Sequence, residues 1–506
     1  MGFIRSPPTV STLYFLWLFS LLLGFFVLFS SASFEAIPRL RPFKKYNFKS
    51  PDSVKLSRTL SDFSTFFYNQ TLDHFNYRPE SYVTFQQKYV INSKYWGGAD
   101  AAAPIFVLLG DEGPIEDDIE GIGFLPENAA SFRALLIYIE HRFYGKSVPY
   151  GSKREAMRNA SIRGYFNSAQ ALADYAEVIR HLKQQLSADS SPVIVIGASY
   201  GGMLAAWFRL KYPHMALGAL ASSAPILYFD NITPEDGYSS VVTRDFKEAS
   251  ESCYNTIRKS WSQIDKFAAT PNGLSRLSKK FKTCKRLKNT EELNEHLRNA
   301  YSAAAQYDEP PEFPVTKMCK AIDGAASNGI DILGQIFAGM VAFDGNKSCY
   351  DLEPYFSSET INGWDWQTCS DITIRMGRGN NTLFGAADPF DLNKYLKYCK
   401  NKYGVTPRPL WITTYYGGHH IKLILKKFGS NIIFSNGLRD PYSSGGVLED
   451  ISDSVVAVYT VEGSHCLDVS AAQKNDPNWL VLQRSKEVQI IKGWILKYYE
   501  DLHQTS

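Results

Sequence analysis

Residues 193–213 read VIVIGASYGGMLAAWFRLKYP. Four apolar residues of buried-strand character run into Gly197-Ala198-Ser199-Tyr200-Gly201-Gly202, and an apolar-patterned helical segment follows. A serine fenced by glycines at a strand-to-helix bend has two explanations. One is a glycine-rich turn of the dinucleotide-binding kind, but that needs Gly-x-Gly-x-x-Gly, which the chain lacks. The other is a strained elbow that lifts the hydroxyl above a sheet, its glycines letting strand and helix approach closely. The helix behind it aims its first N–H groups at nearby negative charge. Five residues of pattern can arise by chance; their position between strand and helix makes them informative.

The neighbouring sequence repeats the alternation. PIFVLLG (104–110) and ALLIYIE (134–140) are short apolar runs that end in a glycine or a charge. NSAQALADYAEVIRHLKQQL (167–186) places Leu172, Tyr175, Ala176, Ile179, Leu182 and Leu186 at helical spacing. A strand at 216–225 follows the elbow helix, and the pattern resumes with NIIFSNG (431–437), SVVAVYTVEG (454–463) and an amphipathic closing helix. Strand and helix in turn predict a mostly parallel sheet covered on both faces, an α/β fold. Between 226 and 410 the chain is polar, rich in Lys and Asn, and without recurring apolar strands. A helical insertion interrupting the sheet is expected there.

A serine hydroxyl needs a base, and on this architecture the chain order is Ser, then an acid, then His. Of the histidines beyond Ser199, His214 ends the elbow helix, His296 falls in the insertion, His419 and His420 form a pair expected on a solvated loop, and His503 lies in the tail. His465, in TVEGSHCLD, directly follows the last strand. Asp440 stands on the loop after 431–437, whereas Asp450 and Asp453 belong to the next turn and are expected in solvent. Ser199, Asp440 and His465 thus all fall at carboxyl ends of parallel strands, where such sheets place ligands.

At 506 residues the chain exceeds one ordinary core, and a net charge of +3 with no basic run excludes nucleic acid as a partner. Arg5, the apolar stretch 13–29 and the small residues after it read as a secretory signal over residues 1–33, with an uncleaved anchor as the alternative. No comparable apolar run follows, so no membrane span is expected once the signal is removed. Sequons at Asn69, Asn159, Asn231, Asn346 and Asn380 agree with that route. So do six of the seven cysteines, which fall between 253 and 399 and fit three bridges in an oxidising compartment. Their spacing admits fifteen pairings and no zinc knuckle.

Here the sequence resembles the family of lysosomal Pro-X carboxypeptidase, dipeptidyl peptidase II and thymus-specific serine protease. The likeness runs through NQTLDHFNY (69–77), GDEGPIE (110–116), EHRFYGKSVP (140–149), GASYGG, SSAPI, WDWQTC, FDLNKYLKYC, SNGLRDP and GSHCLD, and is greatest to the plant members of the Pro-X carboxypeptidase branch. The resemblance implies an α/β-hydrolase domain, 34–225 and 411–506, split by a disulfide-pinned helical cap, 226–410. It implies Ser199 as nucleophile, Asp440 as orienting acid and His465 as general base. It further implies the bridges Cys253–Cys319, Cys284–Cys349 and Cys369–Cys399, leaving Cys466 unpaired and buried beside the histidine.

The expected activity is that of a serine exopeptidase releasing a C-terminal residue after proline from short peptides, through an acyl-enzyme. The oxyanion would be held by the Tyr200 backbone N–H and by a donor near Asp111 and Glu112, Glu112 serving either charge recognition or its own backbone. No metal or cofactor is expected; the partners are short peptides, with a homodimer admitted. Lysosome or vacuole and cell exterior both stay open, and in an acidic lumen the base would have to stay partly neutral below the usual range. Two segments depart from the family pattern: Tyr442 stands where relatives have tryptophan, and ITIRMG follows Cys369 in place of Val-Met-Pro. Both line the proline-accepting pocket in relatives. A dipeptidyl aminopeptidase, a small-ester hydrolase and a catalytically silent hydrolase are the alternatives, although GDEGP is not the HGGG loop of an esterase.

Overall fold

The computed structural model describes residues 62–352 and 358–505, all within one compact unit. The signal proposed over 1–33 lies outside them. Eight strands form one sheet: β1 (Ser64–Thr71), β2 (Thr84–Asn92), β3 (Ile105–Leu109), β4 (Leu135–Ile139), β5 (Val193–Ala198), β6 (Gly218–Ser222), β7 (Ile432–Gly437) and β8 (Val455–Thr460). Their order is β1-β2-β4-β3-β5-β6-β7-β8. β1 pairs with β2 and β2 with β4 antiparallel; every later pairing is parallel. This is the α/β-hydrolase arrangement. Every side chain of β3, β4 and β5 is buried, as strands covered on both faces require.

The odd and even residues of the central strands feed two cores. Ile105, Val107, Ile137, Val193 and Val195 face α1 (Ser168–Gln185) and α2 (Tyr200–Lys211). Phe106, Leu108, Leu136, Ile194 and Ile196 face the other way, where Ile491 and Ile495 of the closing helix join the second core. α1 starts on Asn167, whose side chain accepts from the Gln170 N–H, an N-cap that satisfies one otherwise orphaned donor.

Between β6 and β7 the chain is helical, through α3 (Gly237–Ala249), α4 (Glu251–Ala268), α5 (Gly273–Lys280), α6 (Glu291–Gln306), α7 (Pro314–Ser327), α8 (Ile332–Asp344), α9 (Ser358–Ser370), α10 (Leu392–Tyr403), α11 (Trp411–Tyr416) and α12 (Ile421–Phe428). Disulfides Cys253–Cys319, Cys284–Cys349 and Cys369–Cys399 join α4 to α7, the loop after α5 to the segment after α8, and α9 to α10. At α11 the chain is back on the sheet's helices: Tyr416 stacks on Trp207 of α2 with ring centroids 4.1 Å apart, and its hydroxyl donates to Ser168 at the head of α1. Among the described residues no helix is long and apolar enough to cross a membrane.

Candidate active site

The bend at Ser199 is strained in the way its sequence requires. Ser199 has φ 61° and ψ −120°, a left-handed value that costs a non-glycine residue on the order of 1–3 kcal/mol. The surrounding contacts hold it there. Its N–H donates to the Ser222 carbonyl of β6 at 2.8 Å and its carbonyl accepts from the Met203 N–H. The glycines are obligatory: a Cβ on Gly197 would lie 2.0 Å from the Gly201 carbonyl oxygen, and one on Gly202 would lie 2.5 Å from that of Ser222. Strand, turn and helix therefore close on one another with no room for a methyl group.

His465 approaches from the loop after β8. Its Nε2 lies 2.8 Å from Ser199 Oγ and its Nδ1 2.6 Å from Asp440 Oδ2. Asp440 follows β7, and its second oxygen accepts the Tyr442 N–H at 2.9 Å. Because a carboxylate only accepts, Nδ1 carries the proton and Nε2 faces the serine as an acceptor. All three side chains are buried. The residues at 199, 440 and 465 are thus brought together, whereas Asp450, Asp453, His214, His419, His420 and His503 are exposed, and His296 sits against Asp344 in the insertion.

The electrostatics run against one expectation. Burial works to lower the His465 pKa, but the Asp440 carboxylate and the adjacent Cys466 raise it, and the balance holds it well above the ordinary histidine range. The imidazole is therefore not biased toward neutrality in acid. Cys466 is buried and outside any disulfide, and burial raises its own pKa against the pull of His465. Its burial outside any disulfide makes it an inert core thiol and not a second nucleophile.

Three helices of the insertion reach this centre, and nothing in the spacing of their residues announced it. The His465 N–H donates to the carbonyl of Gln306, the last residue of α6, at 3.0 Å. The Gln306 side chain accepts from the Tyr238 hydroxyl of α3 and donates to that of Tyr307. Tyr307 and Tyr442 set their rings 6.1 and 5.8 Å from the imidazole, and Tyr238 packs edge-on against Tyr442 at 4.9 Å. Trp364 of α9 lies 5.7 Å from the Tyr200 ring. The result is an aromatic wall around the imidazole, with Trp364 against Tyr200. Tyr442, one of the two departures, is part of it; the other, 372–377, reaches α3 through the Gly377 carbonyl, which accepts from Ser239.

The expected oxyanion loop lies against the elbow. A Cβ on Gly201 would meet the Leu109 carbonyl at 2.9 Å and Asp111 Cβ at 3.5 Å, and Asp111 and Glu112 are both buried. Tyr200 is the first residue of α2, where the backbone N–H has no acceptor within the helix. The five sequon asparagines, Asn69, Asn159, Asn231, Asn346 and Asn380, are exposed. Among the described residues no group of histidine, cysteine and carboxylate side chains could hold a metal ion.

Sheet order, elbow and the line of hydroxyl, imidazole and carboxylate define a serine hydrolase of the α/β-hydrolase class. Comparison with known proteins narrows the class. The serine carboxypeptidase S28 family model matches residues 70–487, and the chain belongs to that family. It is 36% identical to lysosomal Pro-X carboxypeptidase of Mus musculus over 464 residues, covering 87% of this chain and 91% of that protein. Identity to the Homo sapiens protein of the same name is 35%, covering 88% and 91%. Thymus-specific serine protease of Mus musculus is 28% identical, covering 84% of this chain and 86% of that one.

Proposed function

We propose that the protein is a serine carboxypeptidase that removes a C-terminal residue following proline from short peptides. The observation that carries this reading is the alignment of Ser199 Oγ, His465 and Asp440 at 2.8 and 2.6 Å beneath inserted helices. His465 accepts the serine proton as Oγ attacks the scissile carbonyl. Asp440 stabilises the imidazolium, which then protonates the leaving amine, and water hydrolyses the acyl-enzyme by the same steps. The oxyanion is held by the N–H of Tyr200 and one from the loop at Asp111 and Glu112.

Residues 226–410 act as a cap on the two-part hydrolase domain, 34–225 and 411–506, and restrict access to chain ends. Tyr238, Tyr307, Tyr442 and Trp364 offer flat apolar faces to a proline ring, which has no N–H to satisfy. The disulfides fit passage through the secretory pathway, with glycans on the exposed asparagines and a lysosomal or vacuolar destination, as in the lysosomal relatives.

The test is a pair of experiments. A fluorophosphonate should label the wild type and not S199A; absence of labelling in folded wild type would end the peptidase reading. Pro-X peptides blocked at the amino end should be cleaved and those blocked at the carboxyl end should not. The reverse selectivity would make it a dipeptidyl aminopeptidase.

A further inference from the structure

Glu140, His141 and Arg142 directly follow β4 as three consecutive ionisable residues, all completely buried and none of them in the triad. Arg142 is structural: its guanidinium pairs with Asp174 and donates to the carbonyls of Leu72, Tyr165 and Thr71. Of the other two, His141 faces the elbow and Glu140 faces the backbone at Ile115, Lys146 and Ser147. His141 Nδ1 lies 2.6 Å from the Arg142 carbonyl, which can only accept, so the proton is on Nδ1 and Nε2 is a lone pair. That lone pair lies 3.1 Å from the Tyr200 hydroxyl. Tyr200 therefore donates to His141, and its oxygen accepts in turn from Gln367 of α9 at 2.9 Å. The Gln367 carbonyl oxygen takes the Tyr144 hydroxyl. Every donor and acceptor along this chain has one direction only.

Glu140 does the corresponding work on the facing loop. Its carboxylate accepts from the Ile115 N–H at 3.1 Å and from the N–H groups of Lys146 and Ser147 and the Ser147 hydroxyl. The start of that loop is held by the Tyr175 hydroxyl, which donates to the Gly110 carbonyl.

We infer that His141 is a positioning residue for the oxyanion hole, anchoring the Tyr200 side chain so that the backbone N–H of Tyr200 stays aimed at the reacting carbonyl, while Glu140 braces the loop opposite. The inference rests on the reading of Ser199 and Tyr200 given above. It explains a buried histidine that the triad does not use. Burial lowers its pKa to about 4, so the ring keeps its acceptor lone pair through the mildly acidic range.

Three variants test it. H141F removes the acceptor, Y200F removes one oxygen from the donor, and H141Q restores an acceptor amide oxygen near the position of Nε2. H141F and Y200F should each lower kcat by about tenfold to a hundredfold, the scale of a displaced catalytic contact, with KM nearly unchanged. The fluorophosphonate labelling rate should fall in parallel, and H141Q should recover most of both. The double variant should lose less than the sum of the two single ones, because the His141–Tyr200 hydrogen bond is common to both, while Y200F also removes the acceptor of the Gln367 amide and H141F the donor to the Arg142 carbonyl. The acid limb of the pH profile, which belongs to His465, should keep its position while its height falls.

Wild-type kcat in folded H141F or Y200F would overturn the inference, as would additive losses. Should H141F fail to fold, Y200F carries the same test by deleting a single atom. If folded wild type is never labelled at Ser199, it is the peptidase reading that has failed, and the inference falls with it.

Discussion

The His465 N–H donates to the Gln306 carbonyl, 3.0 Å away, so the end of an inserted helix holds the loop that carries the imidazole. Sheet and inserted helices are therefore coupled at His465, and on the proposed mechanism disturbing the insertion should be felt at the triad. Q306A removes the acceptor of the Tyr238 hydroxyl and the donor to Tyr307. The expected cost is about 1–3 kcal/mol of stability for exposing buried polar groups to an apolar gap, together with a lower kcat. Thermal unfolding and steady-state kinetics on the same sample check both.

On the proposed mechanism the acid limb of activity follows from His465. It acts as a base only when neutral, and although burial pulls its pKa down, Asp440 and Cys466 hold it above the ordinary histidine value. kcat/KM of the free enzyme should therefore rise with pH through a pKa above about 6.5. D440N removes the carboxylate charge, so the limb should move to lower pH while kcat drops by roughly 10³–10⁴-fold. A wild-type limb below the ordinary histidine value would contradict the geometry.

Stability should run the other way. Burial pushes Asp245 up to about 8, with Asp308 and Glu248 adding to it against Arg244 and Arg439; it pushes Asp308 up to about 6 and Glu309 up to about 7. Each folded pKa exceeds its unfolded value, so between the two the folded state holds more protons, and stability falls as pH rises. The raised His465 acts in the same sense, while His141, lowered to about 4 by burial, opposes it below about pH 6.5. Tm should be higher at about pH 5 than at about pH 8, and D245N should flatten the difference. A Tm that climbs across this interval would refute the assignment.

Tyr442 fills its place completely, 1% exposed between Tyr238 and the imidazole. Y442W, the residue expected there from relatives, adds volume to a packed wall and should cost about 1–3 kcal/mol. KM for Pro-X peptides should change more than KM for a small ester, since on the proposed reading the wall meets the proline side of the substrate. Equal changes for both would place Tyr442 outside the specificity pocket.

Cys466 should behave as an inert core thiol. Thiol reagents should leave the native enzyme active and unlabelled, and react with one thiol per chain only after unfolding without reductant, the other six cysteines being bonded in pairs. Rapid inactivation of native enzyme would place the thiol in reach of solvent.

Much of this protein was legible in local order. Apolar runs closing on glycine or charge mark β3, β4, β5 and β7, because strands buried on both faces must be apolar throughout. Gly197 and Gly202 report a turn too tight for a Cβ, and Ser199, Asp440 and His465 each follow a strand, which restricts where their side chains can lie. β1 and β2 were not legible: STFFYNQT mixes exposed and half-buried positions, as an antiparallel edge strand does, and its partner is chosen by register. Nor were Gln306, Tyr307, Tyr238 and His141. EHRFYG stood out only as a string; that its histidine meets Tyr200 and its glutamate the facing loop depends on β4 lying beside β3 and β3 beside β5. A strand's composition reports how deeply it is buried, whereas a hydrogen bond between residues 141 and 200, or 306 and 465, exists only once packing has brought distant segments within 3 Å or so. Chain order determined the sheet and the elbow; tertiary contact alone decided what holds the catalytic groups in line.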